Sequence, residues 1–246
     1  MNYFVSGGSR GIGAEIVRNA IKDGHDVAFT YVSNESKAAE VVAECKGLRA
    51  EGKCIAYRMD VRDPASVEEV GDAVLDEFED IHVVVNNAAI TRDNLCVSMT
   101  DEEWSDVIAT NLSGPFYVTR YFLSSMLGNR FGRFINISSV SSSGATGQAN
   151  YAAAKAGLHG LTKTISKEYG KKNIHANVIV AGYFGTDMTR EQMSEHNKVF
   201  WDRYCPAGRI GELSELSQVV AFLASEGATY LNGQEIWLTG GLNYAP

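Results

Sequence analysis

The sequence predicts an α/β fold, a doubly wound parallel sheet of about seven strands with helices on both faces, in one domain over residues 1–246. Three observations carry that expectation. Short apolar, β-prone runs alternate with stretches of helical periodicity along the whole chain, the pattern of parallel strands joined by crossover helices. The first run leads through a glycine-rich turn straight into a helix (YFVSGGSRGIG, residues 3–13). No internal repeat, low-complexity tract or linker interrupts the alternation, and 246 residues at 45% hydrophobic suffice for one sizeable core. Ligands of such sheets bind at the carboxyl ends of the strands.

Composition narrows the function classes. A formal net charge of -8 argues against a nucleic-acid binder, and no apolar run is long enough to span a membrane. Met1 is followed by Tyr3, Phe4 and Val5 and then glycines, without the basic and hydrophobic regions of a signal peptide, so a soluble cytoplasmic protein is expected. Cys45, Cys54, Cys96 and Cys205 are scattered, with no CxxC pair, and read as reduced structural thiols rather than metal ligands.

Taken in order, the first turn reads Gly7-x-x-x-Gly11-x-Gly13, with Ser9, Arg10 and Ile12 between the glycines. Glycine supplies unusual dihedrals there and lets a phosphate approach the backbone, while the following helix aims its amides and positive dipole end at that phosphate. A second strand is expected over 26–31. An NAD site places a carboxylate near its end to hold the ribose 2′-hydroxyl. Here Tyr31, Val32, Ser33 and Asn34 occupy that region, and Arg10 stands in the first turn. A guanidinium with hydroxyl and amide neighbours suits a 2′-phosphate, so NADP is preferred over NAD.

Helical periodicity over 36–51 leads to a strand over 54–59 and then Asp60-Val61, where the carboxylate either meets an adenine amino group or caps the turn before Pro64. A helix over 64–78 and a strand over 82–85 precede Asn86-Asn87-Ala88-Ala89, which reads as a turn locking the strand end or as a wall for an adenosine. Helices are expected over 101–112 and 115–127. Asn111, near their junction, reads as a holder of water, a kink or a cap.

The chemical centre lies in RFINISSVSSSGATGQANYAAAKAG, residues 133–157. An apolar strand passes through a Ser/Gly-rich loop into an alanine-rich helix that Asn150 can cap. Tyr151 and Lys155 then fall at i and i+4 on one helical face. A tyrosine, with an ordinary pKa of about 10, exchanges protons poorly near neutral pH, and an ammonium one turn away is expected to lower that value. Ser139, at the strand end, is placed to hold a substrate oxygen beside the phenol. Beyond a strand over 174–180, the polar segment 188–211, interspersed with Met193, Phe200, Trp201 and Tyr204, reads as a mobile helical cover over a pocket. A helix over 214–224 and a strand over 235–238 close the chain.

These motifs together, Ser6-Gly7-Gly8-Ser9-Arg10-Gly11-Ile12-Gly13, Asn86-Asn87-Ala88-Ala89, Asn111, Ser139, Tyr151-x-x-x-Lys155 and Tyr230-Leu231-Asn232-Gly233-Gln234, resemble a short-chain dehydrogenase/reductase over essentially the whole chain. Within that family, GQANYAAAKAG and PAGRIG (206–211) look most like bacterial 3-oxoacyl-[acyl-carrier-protein] reductases. The resemblance implies a Rossmann-type fold, a homotetramer, NADPH and a catalytic set of Asn111, Ser139, Tyr151 and Lys155. It also implies cofactor contacts from Gly7, Ser9, Arg10, Gly11, Ile12, Gly13, Ser33, Asp60, Val61, Asn87, Ala88, Tyr151, Lys155, Phe184 and Thr186. Arg130 and Lys172 match two basic residues that lie near the site entrance in relatives and would steer an acidic carrier protein.

The sequence departs from the family pattern at Ser6, Ala89, Ala181 and Thr239. The loop before Tyr151 is one residue short, so spacing from the tyrosine points to Ser138, whereas the strand alignment and the interval to Asn111 point to Ser139, which is the choice made. The implied activity is NADPH-dependent reduction of a carrier-linked 3-oxoacyl thioester to the 3-hydroxyacyl thioester in fatty-acid or related biosynthesis. The alternatives are a reductase or dehydrogenase of a polyketide, a steroid or a small alcohol or ketone, and a non-catalytic NADP-binding sensor or scaffold.

Overall fold

A computed structural model of the chain describes residues 1–186 and 195–244, with the backbone alone at 195–198 and 202. Its centre is a seven-stranded parallel sheet in the order β3-β2-β1-β4-β5-β6-β7. The strands are β1 (Asn2–Val5), β2 (Asp26–Tyr31), β3 (Cys54–Arg58), β4 (Val83–Asn86), β5 (Gly132–Ser139), β6 (Ile174–Ala181) and β7 (Glu235–Leu238). Between them run α1 (Gly11–Lys22), α2 (Glu35–Leu48), α3 (Pro64–Phe78), α4 (Asp101–Ile108), α5 (Gly114–Asn129), α6 (Ala149–Tyr169), α7 (Glu195–Tyr204) and α8 (Leu213–Ala224).

Both faces of the sheet are covered, so the inner strands are apolar at consecutive positions. In β1, Tyr3 and Val5 enter the core beneath α1, α2 and α8, while Phe4 enters the opposite core beneath α3, α5 and α6. Helix starts follow local chemistry. Asn34 accepts from the Lys37 amide at the head of α2, and Asp63 accepts from the Ala65 amide with Pro64 beginning α3. Thr100 and Glu103 form a capping box on α4.

The expected α3 and β7 ranges agree with the structure, and most other ends differ by one to three residues. A larger difference lies at 109–113, where a π-helical turn (Ala109–Ser113) carries α4 into α5 without a break. The order of strands reverses direction at β1 and β4, and the turns after β1, β4, β5 and β6 converge at the carboxyl edge.

Candidate active site

The turn after β1 is held from three sides. The Gly8 amide donates to the Thr30 carbonyl at 2.9 Å, and Ser6 Oγ accepts from the amides of Asn87 (3.0 Å) and Ala88 (3.1 Å). Asn87 Nδ2 donates to the carbonyls of Ser6 (3.1 Å) and Gly7 (2.9 Å). The second asparagine therefore locks the glycine turn, and the serine hydroxyl at position 6 acts as its latch. Gly7 and Gly11 have φ of 68° and 54°, which favours glycine. A Cβ on Gly13 would overlap the Gly7 carbonyl, and one on Gly11 would press on Thr186 at 3.3 Å. Arg10, the residue before α1, makes no side-chain cap to the helix amides. A bare glycine cradle facing uncapped amides is the donor set a pyrophosphate requires, so these residues fit a dinucleotide.

At the rim, no carboxylate stands between Tyr31 and Asn34, and Ser33 is exposed. Asp60 is engaged by Arg62, which donates from Nη2 at 2.7 Å and from its amide at 3.0 Å, and this holds the Asp60 carboxyl below its ordinary range. The cap before Pro64 is Asp63, so Asp60 braces the turn through Arg62 instead. Val61 is buried against Gly114.

The chemistry-bearing side chains converge at the end of β5. Ser139 is its last residue, and its hydroxyl accepts from the Ser141 amide at 3.2 Å and lies close enough to the Tyr151 phenol to favour its ionised form. Ser138 points to the other face, where its hydroxyl donates to the Lys155 carbonyl and lies 3.0 Å from His159 Nε2. Geometry thus brings Ser139, not Ser138, to the tyrosine. Lys155 is buried and donates from Nζ to the Ile137 carbonyl at 2.7 Å, with Nζ over the Tyr151 ring at 5.5 Å from its centroid. Asn111 sits fully buried in the π turn, where Oδ1 accepts from the Ile90 amide and Nδ2 donates to the Ile90 carbonyl, both at 2.9 Å. Its side chain pins the loop after β4.

Charge at this centre differs from the sequence expectation. Burial pushes the Tyr151 phenol up to about 12; the Ser139 hydroxyl opposes that rise, and Asp93 and Tyr183 add to it. Burial also brings the Lys155 ammonium down to about 8. Tyr151 keeps an accessible edge, but protein crowds it closely enough for desolvation to outweigh any help from the lysine, whose ammonium is turned to Ile137.

One further expectation is corrected, at Asn150, and the structure places Phe184, Arg130 and Lys172. Asn150 is not the cap of α6, which starts at Ala149. It lies in the first turn, where Nδ2 donates to the carbonyls of Arg92 and Glu103 at 3.0 Å each and Oδ1 accepts from the Tyr151 amide at 2.7 Å. The Phe184 side chain is buried in the core against Gly211, so only its backbone is left to face a ligand. Arg130 and Lys172 stand before the amino ends of β5 and β6, at the opposite end of these strands from this chain's own Ser139. Eight residues of β5, about 25 Å of strand, separate that edge from Ser139.

Of the expected cover over 188–211, residues 188–194 lie outside the described residues. The remainder includes α7, whose Trp201 packs against Tyr183 with ring centroids 4.8 Å apart in a small core with Cys205 and Leu242. A cavity of about 130 Å³ lies there, between Tyr183, Trp201 and Thr239. A larger groove of about 470 Å³ runs between α3 and α5 by Asp72 and Tyr121, away from this chemistry.

Sequence reading missed two polar chains that support the site, one buried and one half-buried. Asn86 Nδ2 donates to Asn136 Oδ1 and Thr119 Oγ1, and Asn136 Nδ2 donates to Thr162, which ties β4 and β5 to α5 and α6. His159 bridges Ser138 to Glu235, with Nδ1 3.2 Å from its carboxylate. Polar residues inside otherwise apolar strands were the available signal, since such groups need partners.

A glycine cradle between β1 and α1 and a Ser, Tyr and Lys cluster at the end of β5 define a nicotinamide-dependent oxidoreductase, and the chain belongs to the short-chain dehydrogenase/reductase family. The matching family model, described as enoyl-(acyl carrier protein) reductase, covers residues 7–243. Among particular relatives, the chain is 41% identical over 239 residues to the 3-oxoacyl-[acyl-carrier-protein] reductase FabG of Escherichia coli (strain K12), covering 97% of this chain and 95% of that one. The protein of the same name from Staphylococcus epidermidis is 40% identical, with 97% of each covered. The solved structure of levodione reductase superposes with a TM-score of 0.92 at 29% identity, over 98% of this chain and 96% of that one. Among the described residues no helix is long and apolar enough to cross a membrane.

Proposed function

We propose that this chain reduces a 3-oxoacyl thioester carried on acyl carrier protein to the 3-hydroxyacyl thioester, using NADPH, in the cytoplasm. The observation that carries the proposal is the Ser139 hydroxyl at the end of β5 beside the Tyr151 phenol, with Lys155 one helical turn below, next to the glycine cradle. Two adjacent hydroxyls suit a ketone oxygen. NADPH, when bound, supplies the hydride. Ser139 and Tyr151 hold the oxygen, and Tyr151 passes its proton to that oxygen as negative charge develops there. A phenol pushed up to about 12 keeps its proton at neutral pH, as a donor must. Lys155, with a pKa brought down to about 8, is poised to replace that proton and to hold a ribose hydroxyl. Because both ends of the Asn111 amide are bound to Ile90, a water at this position falls to its backbone carbonyl.

An acidic carrier is the partner this reading implies. For Arg130 and Lys172 to guide it, the site must belong to a neighbouring subunit, which a homotetramer supplies. Exposed aromatic side chains support such an assembly: Trp104 on α4, Phe116 on α5, Phe222 on α8 and Trp237 on the edge strand β7. The test follows NADPH oxidation by absorbance with a 3-oxoacyl thioester on carrier protein and on a pantetheine mimic, with NADH as control. Turnover with NADPH, faster on the carrier, supports the reading. Turnover of a small ketone alone replaces the substrate, and tight NADPH binding without turnover on any carbonyl makes the chain a binder.

A further inference from the structure

We propose that Arg58, at the end of β3, is a second arginine for the cofactor 2′-phosphate, working opposite Arg10; this rests on the NADPH reading above. In the parallel register Arg58 lies beside Tyr31, the last residue of β2. It shares its face of β3 with Cys54 and Ala56, which pack in the core beneath α1 and α2, so it emerges on the side where the first turn begins α1. Its Nε donates to the Val32 carbonyl at 3.2 Å, which fixes the guanidinium over the turn that carries Ser33. Its two Nη atoms make no hydrogen bond among the described residues.

Arg58 carries a charge that no carboxylate offsets among the described residues. Arg18, Arg49, Arg62 and Arg209 each meet a carboxylate, in a chain with net charge -8. Arg10 and Arg58 meet none among the described residues, as is true also of Arg92, Arg120, Arg130, Arg133 and Arg203; what distinguishes these two is their place, in the turn after β1 and at the end of β3 beside Tyr31. Two unpaired guanidiniums therefore flank a turn with an exposed serine and no carboxylate. An adenosine whose pyrophosphate lies on the glycine turn has its 2′-oxygen at this turn. A phosphate there is the dianion that two forked donors suit, and a neutral 2′-hydroxyl gains far less from them, since it offers no opposite charge and one oxygen.

The experiment is calorimetric binding of 2′-phospho-ADP-ribose and of ADP-ribose to wild type and to Arg58→Gln, which keeps a donor for the Val32 carbonyl but removes the charge. The expected result is a wild type that favours the phosphorylated ligand, and a variant that loses about tenfold in its affinity for that ligand alone. Arg58→Lys should recover part of the loss, and added salt should shrink it. A phosphate preference in wild type that Arg58→Gln leaves unchanged, or a loss equal for both ligands, overturns the role of Arg58 and leaves the cofactor reading standing. A wild type without phosphate preference overturns the cofactor reading and the proposal with it.

Discussion

Replacing Lys155 with methionine tests how burial sets charge at the site. The fold leaves Lys155 3% exposed and brings its pKa from the ordinary 10.5 to about 8. At about 1.4 kcal/mol per unit, the charged form is disfavoured by about 3 kcal/mol in the folded chain. The unfolded chain keeps this proton up to the ordinary lysine range. Between about pH 8 and 10.5 the unfolded state therefore binds more protons than the folded one, and stability rises with pH. Below that window the whole penalty is present; above it the penalty has gone. Methionine has no proton to hold. In urea unfolding at matched protomer concentration, the stability of Lys155→Met relative to wild type should fall by about 3 kcal/mol from pH 7 to pH 10.5, the other titrations cancelling in the difference. The offset at pH 7 is smaller than that, because the variant strands the Ile137 carbonyl, at about 1–3 kcal/mol. Parallel pH profiles for the two proteins would refute the reasoning.

Tyr151→Phe should lower kcat by at least about a hundredfold while NADPH affinity, measured by calorimetry, stays near wild type. Ser139→Ala should lose turnover as well. Ser138→Ala should keep it and lower stability by about 1 kcal/mol, read from the urea midpoint, because Ser138 serves only the Lys155 carbonyl and His159. Gly13→Ala drives a methyl into the Gly7 carbonyl and the Asn87 amide, so it should lower Tm by about 5 °C and abolish dinucleotide binding, followed by calorimetry and thermal melts.

The fold was legible because the strands are compact apolar runs separated by stretches of helical periodicity, whereas the starts at Asn34, Asp63-Pro64 and Thr100-x-x-Glu103 serve only some of the helices. The glycine cradle and the Tyr151–Lys155 spacing were legible for the same reason, being set by local geometry within one turn or one helix. What sequence could not supply was depth and direction. The i, i+4 spacing places Lys155 near Tyr151, but burial decides that the phenol rises and the ammonium falls, and burial depends on elements far away in the chain. Asn150 has a capping residue's chemistry, yet two distant carbonyls hold it inside the helix. Arg130 and Lys172 share one edge because β5 and β6 are in register, and that register puts them a full strand length from Ser139. Arg58 carried no local signal, since its meaning comes from lying beside the end of β2.

The most direct test of the central claim follows deuterium from NADPH labelled at both C4 positions into a 3-oxobutyryl thioester, with the product analysed by mass spectrometry. The account predicts a 3-hydroxybutyryl thioester carrying one deuterium at C3, formed by wild type and Ser138→Ala but not by Tyr151→Phe. Label transfer that persists undiminished in Tyr151→Phe, or no transfer by wild type, would contradict it.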